Sequence, residues 1–419
     1  MKLEKIVKSL VCKEMEEKIT SERIDFLDTL KGIAMYLVIL GHVYIPNYLN
    51  TIIYSFHMPL FFIISGATIK IDKILETDFK IYLKRQIRNY IIPYFWIELF
   101  LLPLWYLRMT VSNSDFSFLD AMKGIIISNA QICNFPASTT WFVLTLFISH
   151  IIFAFLLKIS YGDKRILLCL SIFCAIFSWT QRNIDYPWHY TVSFAGVFFL
   201  FIGNQLFSCL RNNMFFQEIK NSKKILVSCF LFLFGLVCIY SNHGLSMNLN
   251  HFGAKESLLL YYFMSVSMSI GLAIIVLVLP CSKMKLLNYI GKNTFFYMAI
   301  QGEILPILLL IFPVLEKNYF LSVLESILVF IILAGICFLV NSFFPWINAK
   351  RTLVITSPTK WSLKKYFGIL ISFYIPFFMS LKIIFQISNY CIALIIDLIF
   401  SLVFLFLTRK CGFIYLEDF

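Results

Sequence analysis

The chain has 419 residues, of which 60% are hydrophobic and only 14% are charged, and its mean hydropathy is +0.82. This composition excludes an ordinary soluble domain and indicates a polytopic membrane protein. The formal net charge of +13 does not point to nucleic acid, because the basic residues lie in short segments between apolar runs, as topology signals do. We therefore expect the lipid bilayer, and no nucleic acid, as a partner. The 11 cysteines have no metal-like or disulfide-like spacing, so no metal is expected.

The first 28 residues precede any apolar run and carry no secretory signal pattern. Apolar residues recur at helical spacing over 3–19, which predicts an amphipathic helix on the cytoplasmic leaflet. Apolar windows of about 20 residues follow, the length that spans a hydrocarbon core of about 30 Å. They predict twelve transmembrane helices, near 30–48, 51–69, 90–108, 141–158, 165–181, 188–208, 225–240, 256–280, 294–314, 320–344, 366–386 and 390–408.

The lysines and arginines predict the orientation of these helices. Of the 36 basic residues, 29 fall in alternate loops counted from the N-terminus, 5 fall in the intervening loops and two lie within spans. Because cytoplasmic loops collect positive residues, we expect an all-α integral membrane bundle of about twelve helices with both termini in the cytoplasm. The chain then divides into a cytoplasmic interfacial segment (1–28), a ten-helix membrane domain (29–350) and an added two-helix hairpin with a short cytoplasmic tail (351–419).

Two histidines, His42 and His57, lie within the first two apolar runs. A charged residue at the centre of a membrane helix costs about 2.5–3.5 kcal/mol on insertion scales, so ionisable residues there usually face an interior cavity and mark a functional site. A tight turn predicted around Asn47–Asn50 places the two histidines at similar depth. The alternative interpretation of either histidine is a structural hydrogen bond between helices.

Lys31 precedes His42 by eleven residues, so the two side chains project from nearly the same face of the first helix, roughly 16 Å apart along its axis. Asp28 shares that face. This stripe leads from a charged cytoplasmic mouth to a histidine in the outer half of the membrane. Arg85 and Arg88 stand at the cytoplasmic start of the third helix, where two arginines three residues apart can bind phosphate oxygens or act only as topology signals.

The segments RIDFLDTLKGIAMYLVILGH and SFHMPLFFIISG resemble the N-terminal signature of the acyltransferase 3 family, the membrane-bound O-acyltransferases of bacterial surface glycans. The family pattern of a basic residue, ten residues and a histidine fits Lys31 and His42. Its Arg-x-x-Arg pair fits Arg85 and Arg88.

Two further motifs extend the resemblance over about residues 10–350. Trp141-Phe142 is similar to the opening of the family's fourth helix, and NYIGKNT at 288–294 is similar to its late glycine-asparagine turn. Gln301 stands where relatives often have a histidine, so no third histidine is expected from that helix. Residues 29–350 are therefore the acyltransferase-3-like domain.

The resemblance implies an O-acyltransferase, most often an O-acetyltransferase, of the inner (plasma) membrane. Its donor is a cytoplasmic acyl-CoA, with acetyl-CoA expected, and its acceptor is a hydroxyl of a cell-surface polysaccharide or of its lipid-linked precursor. The near-neutral pKa of histidine, about 6.5, suits either a general base or a transient acyl carrier. The expected catalytic residues are Asp28, Lys31, His42 and His57, and the expected donor-binding residues are Lys31, Arg85 and Arg88.

Glu98 and Glu303 are further candidates, since buried carboxylates in apolar runs are also costly. The other ionisable residues within these runs include His150, Glu325 and Asp397. The alternative function is a glycan or lipid transporter or flippase that uses intramembrane His and Glu side chains, although no inverted repeat is visible. The sequence does not identify the acceptor or show whether the acyl group is one other than the expected acetyl. It also leaves open whether the protein is a homo-oligomer and what the last two helices do.

Overall fold

The structure is a computed structural model that describes residues 25–112, 117–130, 132–133, 135–182, 184–212, 219–242, 257–311 and 318–343. Within these ranges every regular element is helical and no β-strand occurs. The predicted amphipathic helix over 3–19 and the predicted C-terminal hairpin over 366–408 lie outside the described residues.

The helices follow one another with short connections. They are α1 (25–41), α2 (Asn47–Thr68), α3 (Ile71–Glu76), α4 (Phe79–Gln86), α5 (Ile92–Val111), α6 (Phe118–Ile127), α7 (Trp141–Ile159), α8 (Lys164–Thr180), α9 (Tyr190–Asn212), α10 (Asn221–Ser241), α11 (Leu258–Val278), α12 (Lys285–Lys292), α13 (Thr294–Ile311) and α14 (Tyr319–Phe343). A π-helical turn, Ile87–Ile91, joins α4 to α5, and 3₁₀ turns precede α7 (Ser138–Thr140), α9 (Pro187–His189) and α12 (Cys281–Lys283).

Six helical stretches of the described chain are long and apolar enough to cross a membrane. They are Asn47–Thr68, Phe79–Thr110, Ser138–Ile159, Asn221–Ser241, Leu258–Val278 and Tyr319–Val340. The chain is therefore a multi-pass membrane protein whose described part is all-helical. The total of twelve helices and the side on which the termini lie stay predictions.

Hydropathy located most of the helices correctly but misplaced the first turn. Nine of the twelve predicted windows coincide with helices whose ends lie within four residues of the prediction. The turn predicted at Asn47–Asn50 is wrong, because α1 ends at residue 41 and Asn47 already begins α2. Pro46 stands immediately before α2 and has no backbone N–H for a helical hydrogen bond, so the first helix cannot run through it to residue 48 as predicted.

The helix pair α2 and α9 forms the centre of the bundle. Gly66 of α2 faces the backbone of Leu200, and Gly203 of α9 faces the backbone of Ile63, each so closely that a Cβ atom would overlap the opposite chain. Small residues at such crossings let membrane helices approach without intervening side chains. Helix α9 also packs on α7 and α8, and α2 also packs on α11, so the central pair fixes the positions of several other helices.

A second close contact joins the start of α1 to the short helix α12. Gly32 faces the backbone of Leu287, and Gly291 faces the backbone of Asp28. The hydroxyl of Thr29 also donates a hydrogen bond to Oδ1 of Asn288, at 2.5 Å. The NYIGKNT segment thus contains the second half of the short helix α12, which packs on the first membrane helix, and the turn into α13.

Replacing Gly291 with Ala should destabilise the bundle by about 1–3 kcal/mol or more, because the new methyl group overlaps the Asp28 backbone and one of the helices must shift. The measurement is the equilibrium unfolding of purified protein in detergent micelles. Gly335→Ala is the matched control, since nothing lies within 4 Å of the added methyl group, and it should cause no loss of stability. Equal stability of the two variants would mean that α1 and α12 are not in close contact.

Candidate active site

A cavity of about 330 Å³ lies between α1, α2, α7, α12, α13 and the π-helical turn before α5. We call the end of the bundle where α1 begins and α2 ends the basic end. Polar side chains line the cavity toward this end, and apolar side chains line it toward the middle of the bundle. The polar lining consists of Lys31, Ser65, Thr68, Asn89, Tyr90, Lys292 and Thr294, and the deep apolar lining of Phe61, Phe142, Val143, Leu146 and Met298.

The mouth of the cavity carries two lysines that share one carboxylate. The side chain of Asp28 is 8% exposed and lies 3.5 Å from Nζ of Lys31 and 3.9 Å from Nζ of Lys292. One buried carboxylate therefore holds two partly exposed ammonium groups next to each other. Counted over these three described residues, two cations against one anion give a net positive charge, which suits an anionic ligand.

Lys292 was missed as a site residue by sequence reasoning. The signal was present, because Lys292 lies within the NYIGKNT match, but its position beside Lys31 depends on how α12 packs on α1. Lys31 and Asp28 meet at the mouth as the shared face of α1 predicts.

Arg85 and Arg88 do not line the cavity, although Asn89 and Tyr90, which follow directly, do. Arg85 ends up in α4 and Arg88 in the π-helical turn, where the hydrogen bond from Ile92 N to Ile87 O spans five residues. The pair therefore spans the junction between an α-helix and a wider π-helical turn, a feature that is often found at functional sites. In the described part of the chain, neither guanidinium forms an ion pair, so both are available at the basic end.

His42 and His57 make the same hydrogen bond. Nδ1 of His42 lies 2.7 Å from the carbonyl oxygen of Val38, and Nδ1 of His57 lies 2.8 Å from that of Ile53. A carbonyl oxygen only accepts, so Nδ1 carries the proton in both rings. In the neutral imidazole, Nε2 then keeps its lone pair and is the basic nitrogen.

The two histidine rings are both neighbours of one tyrosine ring. The ring centroid of Tyr54 is 6.2 Å from that of His42 and 4.9 Å from that of His57. His42 follows the last residue of α1 and is exposed, whereas His57 is buried within α2. The structure thus brings the predicted pair together through Tyr54 rather than through the predicted turn.

The histidines lie beyond the cavity rather than in its wall. His57, Phe61, Ser65 and Thr68 follow each other along one face of α2, and all of them except His57 line the cavity. Successive turns of a helix are about 5.4 Å apart, so His57 lies roughly one turn past the deep apolar end. The stripe predicted from Lys31 to His42 is therefore interrupted, because an apolar barrier lies between the mouth of the cavity and the histidines.

A third histidine contacts the cavity wall. Nε2 of His150 lies 2.7 Å from the hydroxyl oxygen of Ser65, and its ring centroid is 5.7 Å from that of Tyr90. Ser65 and Tyr90 line the cavity, and His150 is buried behind them. Sequence reasoning gave no role to Ser65, because serine is common in membrane helices and no local pattern marks it.

The two carboxylates Glu98 and Glu303 hold a loop inside the bundle. Oε2 of Glu303 lies 2.8 Å from Nε of Arg108, and its Oε1 accepts a hydrogen bond from the backbone N–H of Ala137 at 3.1 Å. Glu98 accepts a hydrogen bond from the hydroxyl of Thr140. These contacts place residues 137–140 in the interior, just before α7.

The same loop lies directly over the deep end of the cavity. The hydroxyl of Thr139 donates a hydrogen bond of 2.8 Å to the carbonyl oxygen of Met298, whose side chain lines the cavity. Glu98 and Glu303 are not among the lining residues. Glu98 and Glu303 therefore position the loop and do not contact the cavity.

Removing the charge of Glu303 should cost about 3 kcal/mol of stability, because Glu303→Gln leaves a mostly buried arginine without its counter-ion. Chemical unfolding in detergent micelles measures this loss. The control is Asp120→Asn, which breaks an ion pair with Lys123 whose side chains are both more than half exposed, and which should cost less than about 1 kcal/mol. An equally small effect at Glu303 would mean that the interior pair does not hold the loop.

These elements define a multi-pass helical membrane protein with a positively charged cavity at one end and a pair of histidines beyond the closed end of that cavity. A family model described as an acyltransferase domain, that of the acyltransferase 3 family, matches residues 24–344, or 321 of the 419 residues. The chain belongs to this family, as its motifs predict, and is a membrane acyltransferase. No match was found among curated proteins or among solved structures.

Proposed function

We propose that this protein is an O-acyltransferase of the inner (plasma) membrane that moves an acyl group, most often acetyl, from cytoplasmic acyl-CoA to a hydroxyl of a cell-surface polysaccharide or of its lipid-linked precursor. The observation that carries the proposal is the cavity, whose mouth is positive and whose apolar end stops one helical turn from His57. In this proposal the basic end faces the cytoplasm, the bundle has twelve helices, and both termini are cytoplasmic.

The shape of the cavity supports a coenzyme A thioester as the donor. Such a donor has an anionic phosphate end, a long and weakly polar pantetheine arm, and an acyl group at its tip. The phosphates would bind at Lys31 and Lys292, and Arg85 and Arg88, which precede the lining residues Asn89 and Tyr90 in the chain, are further candidates for binding them. The amides of the arm would meet Ser65, Asn89 and Tyr90, and the acyl group would reach the apolar end.

The reaction then requires only the donor, the acceptor hydroxyl and a histidine. With His42 as general base, Nε2 takes the proton of the acceptor hydroxyl, the oxygen forms a bond to the acyl carbon, the carbon–sulfur bond breaks, and the proton passes to the thiolate that leaves as CoA. With His42 as carrier, Nε2 forms a bond to the acyl carbon and the carbon–sulfur bond breaks, so CoA leaves as a thiolate. The acceptor oxygen then bonds to the same carbon, the carbon–nitrogen bond breaks, and the proton that the hydroxyl loses balances the one that the thiolate takes up. Both routes use the nitrogen that the hydrogen bond to Val38 leaves free.

The other proposed site residues have supporting roles. Asp28 holds the two mouth lysines, and His57 is linked to His42 through Tyr54. Glu98 and Glu303 fix the loop above the cavity. The division into an interfacial segment (1–28), a ten-helix acyltransferase domain (29–350) and an added hairpin with a cytoplasmic tail (351–419) is part of the same proposal.

Replacing His42 with Ala should abolish acyl transfer, because no other described group occupies its position at the end of α1. The measurement is the transfer of radiolabelled acetyl from acetyl-CoA into the glycan of membranes that contain the protein. Tyr48→Ala is the control, since Tyr48 is an exposed residue at the same end of the bundle and should leave the transfer rate unchanged. Full activity of the His42→Ala protein at normal yield would disprove its catalytic role.

Two single variants, Lys31→Met and Lys292→Met, should each raise the KM for acetyl-CoA by at least about tenfold, with a smaller change in kcat. Each substitution removes a charge that binds the donor before the chemical step. Lys80→Met removes an exposed charge in α4, outside the cavity lining, and should leave KM unchanged. An unchanged KM in both mouth variants would show that donor phosphates bind elsewhere. A raised KM in Arg85→Ala/Arg88→Ala would add these arginines to the donor site.

A further inference from the structure

The deep end of the cavity is closed by a cluster of three phenylalanines. The ring centroid of Phe142 lies 5.7 Å from that of Phe61 and 5.0 Å from that of Phe62. Phe61 and Phe142 line the cavity, whereas Phe62 is fully buried behind them. The rings meet at tilted and edge-to-face angles, which are the favoured arrangements of aromatic pairs.

Within this cluster, the ring of Phe62 has little room to move. Behind Phe62 lies Gly196 of α9, and a Cβ atom at that position would be only 2.5 Å from the Phe62 ring and 2.5 Å from the hydroxyl of Ser149. The glycine backbone therefore already touches the ring. The side chain of Met298 is the most adaptable neighbour at this end, because its thioether rotates easily.

We infer that Phe61 and Phe142 set the length of the acyl group that the protein accepts, admitting short acyl groups such as acetyl and excluding longer chains. The inference rests on the proposed donor. If the thioester arm enters at the lysines, its acyl group is the leading end and meets the two rings first. A longer chain would use up the space in front of the rings and hold the thioester carbon back toward the mouth, away from His57 and from the proposed catalytic residue His42.

The size of the expected discrimination follows from pocket fit. One methylene group more or less in a hydrophobic pocket changes kcat/KM by about 10- to 200-fold. A floor made of buried, mutually packed rings should therefore distinguish acetyl from butanoyl clearly. Smaller side chains at these two positions should remove that distinction.

The test compares equilibrium binding of CoA, acetyl-CoA, butanoyl-CoA and hexanoyl-CoA to the purified, full-length protein in detergent, so that no acceptor is needed. The wild-type protein should bind hexanoyl-CoA more weakly than acetyl-CoA by at least about tenfold. Phe61→Val and Phe142→Val should each reduce that ratio by at least about tenfold, because they open the floor. If either of these variants fails to fold, Phe61→Leu is measured in its place.

The matched control is Phe153→Val, which removes an equally buried ring from α7 that does not line the cavity. The control should keep the wild-type ratio even where its melting temperature falls. Wild-type discrimination that persists in the folded floor variants, or that changes equally in the control, would overturn the role of Phe61 and Phe142 and leave the acyl-CoA donor intact. Failure of the wild-type protein to bind any of the four compounds would instead contradict the proposed function itself.

Discussion

The contact of α12 with α1 is the constraint on which the site depends. Two glycines, Gly32 and Gly291, let the two helices touch backbone to backbone, and this contact places Lys292 within reach of the carboxylate that also binds Lys31. Without it, Lys292 would not reach Asp28, and the mouth would lose one of its two described lysines. The glycine of the NYIGKNT motif, Gly291, is therefore required for steric reasons, since no larger residue fits against the Asp28 backbone.

The rest of the site follows as a linear order along α2. Thr68 and Ser65 lie in the polar part of the cavity, Phe61 forms its apolar end, and His57 comes one turn later. The interior loop before α7 lies over that end through Thr139 and Met298. In the proposed mechanism the donor and acceptor sites lie on opposite sides of this apolar end, which would limit the entry of water and ions and leave the acyl group a short distance to cross.

Hydropathy and motifs together predicted the helical class, most of the helices, the family and the meeting of Asp28 with Lys31. Those features depend on local composition and on spacing along one helix. The sequence could not show that Lys292 joins Lys31, that Ser65 meets His150, or that Phe61 and Phe142 close the cavity, because each depends on the rotation and crossing of separate helices. The wrong first turn has a simpler origin, since hydropathy averages over the break that Pro46 imposes.

The central claim is that this chain adds an acyl group to a surface glycan by way of His42. Mass spectrometry of glycans from cells that lack the protein, and from the same cells given back the wild-type or the His42→Ala protein, tests it most directly. The account predicts that the wild-type protein restores a mass increment of one acyl unit and that the His42→Ala protein, present at equal amount, does not. Identical glycan masses in all three cell lines would contradict it.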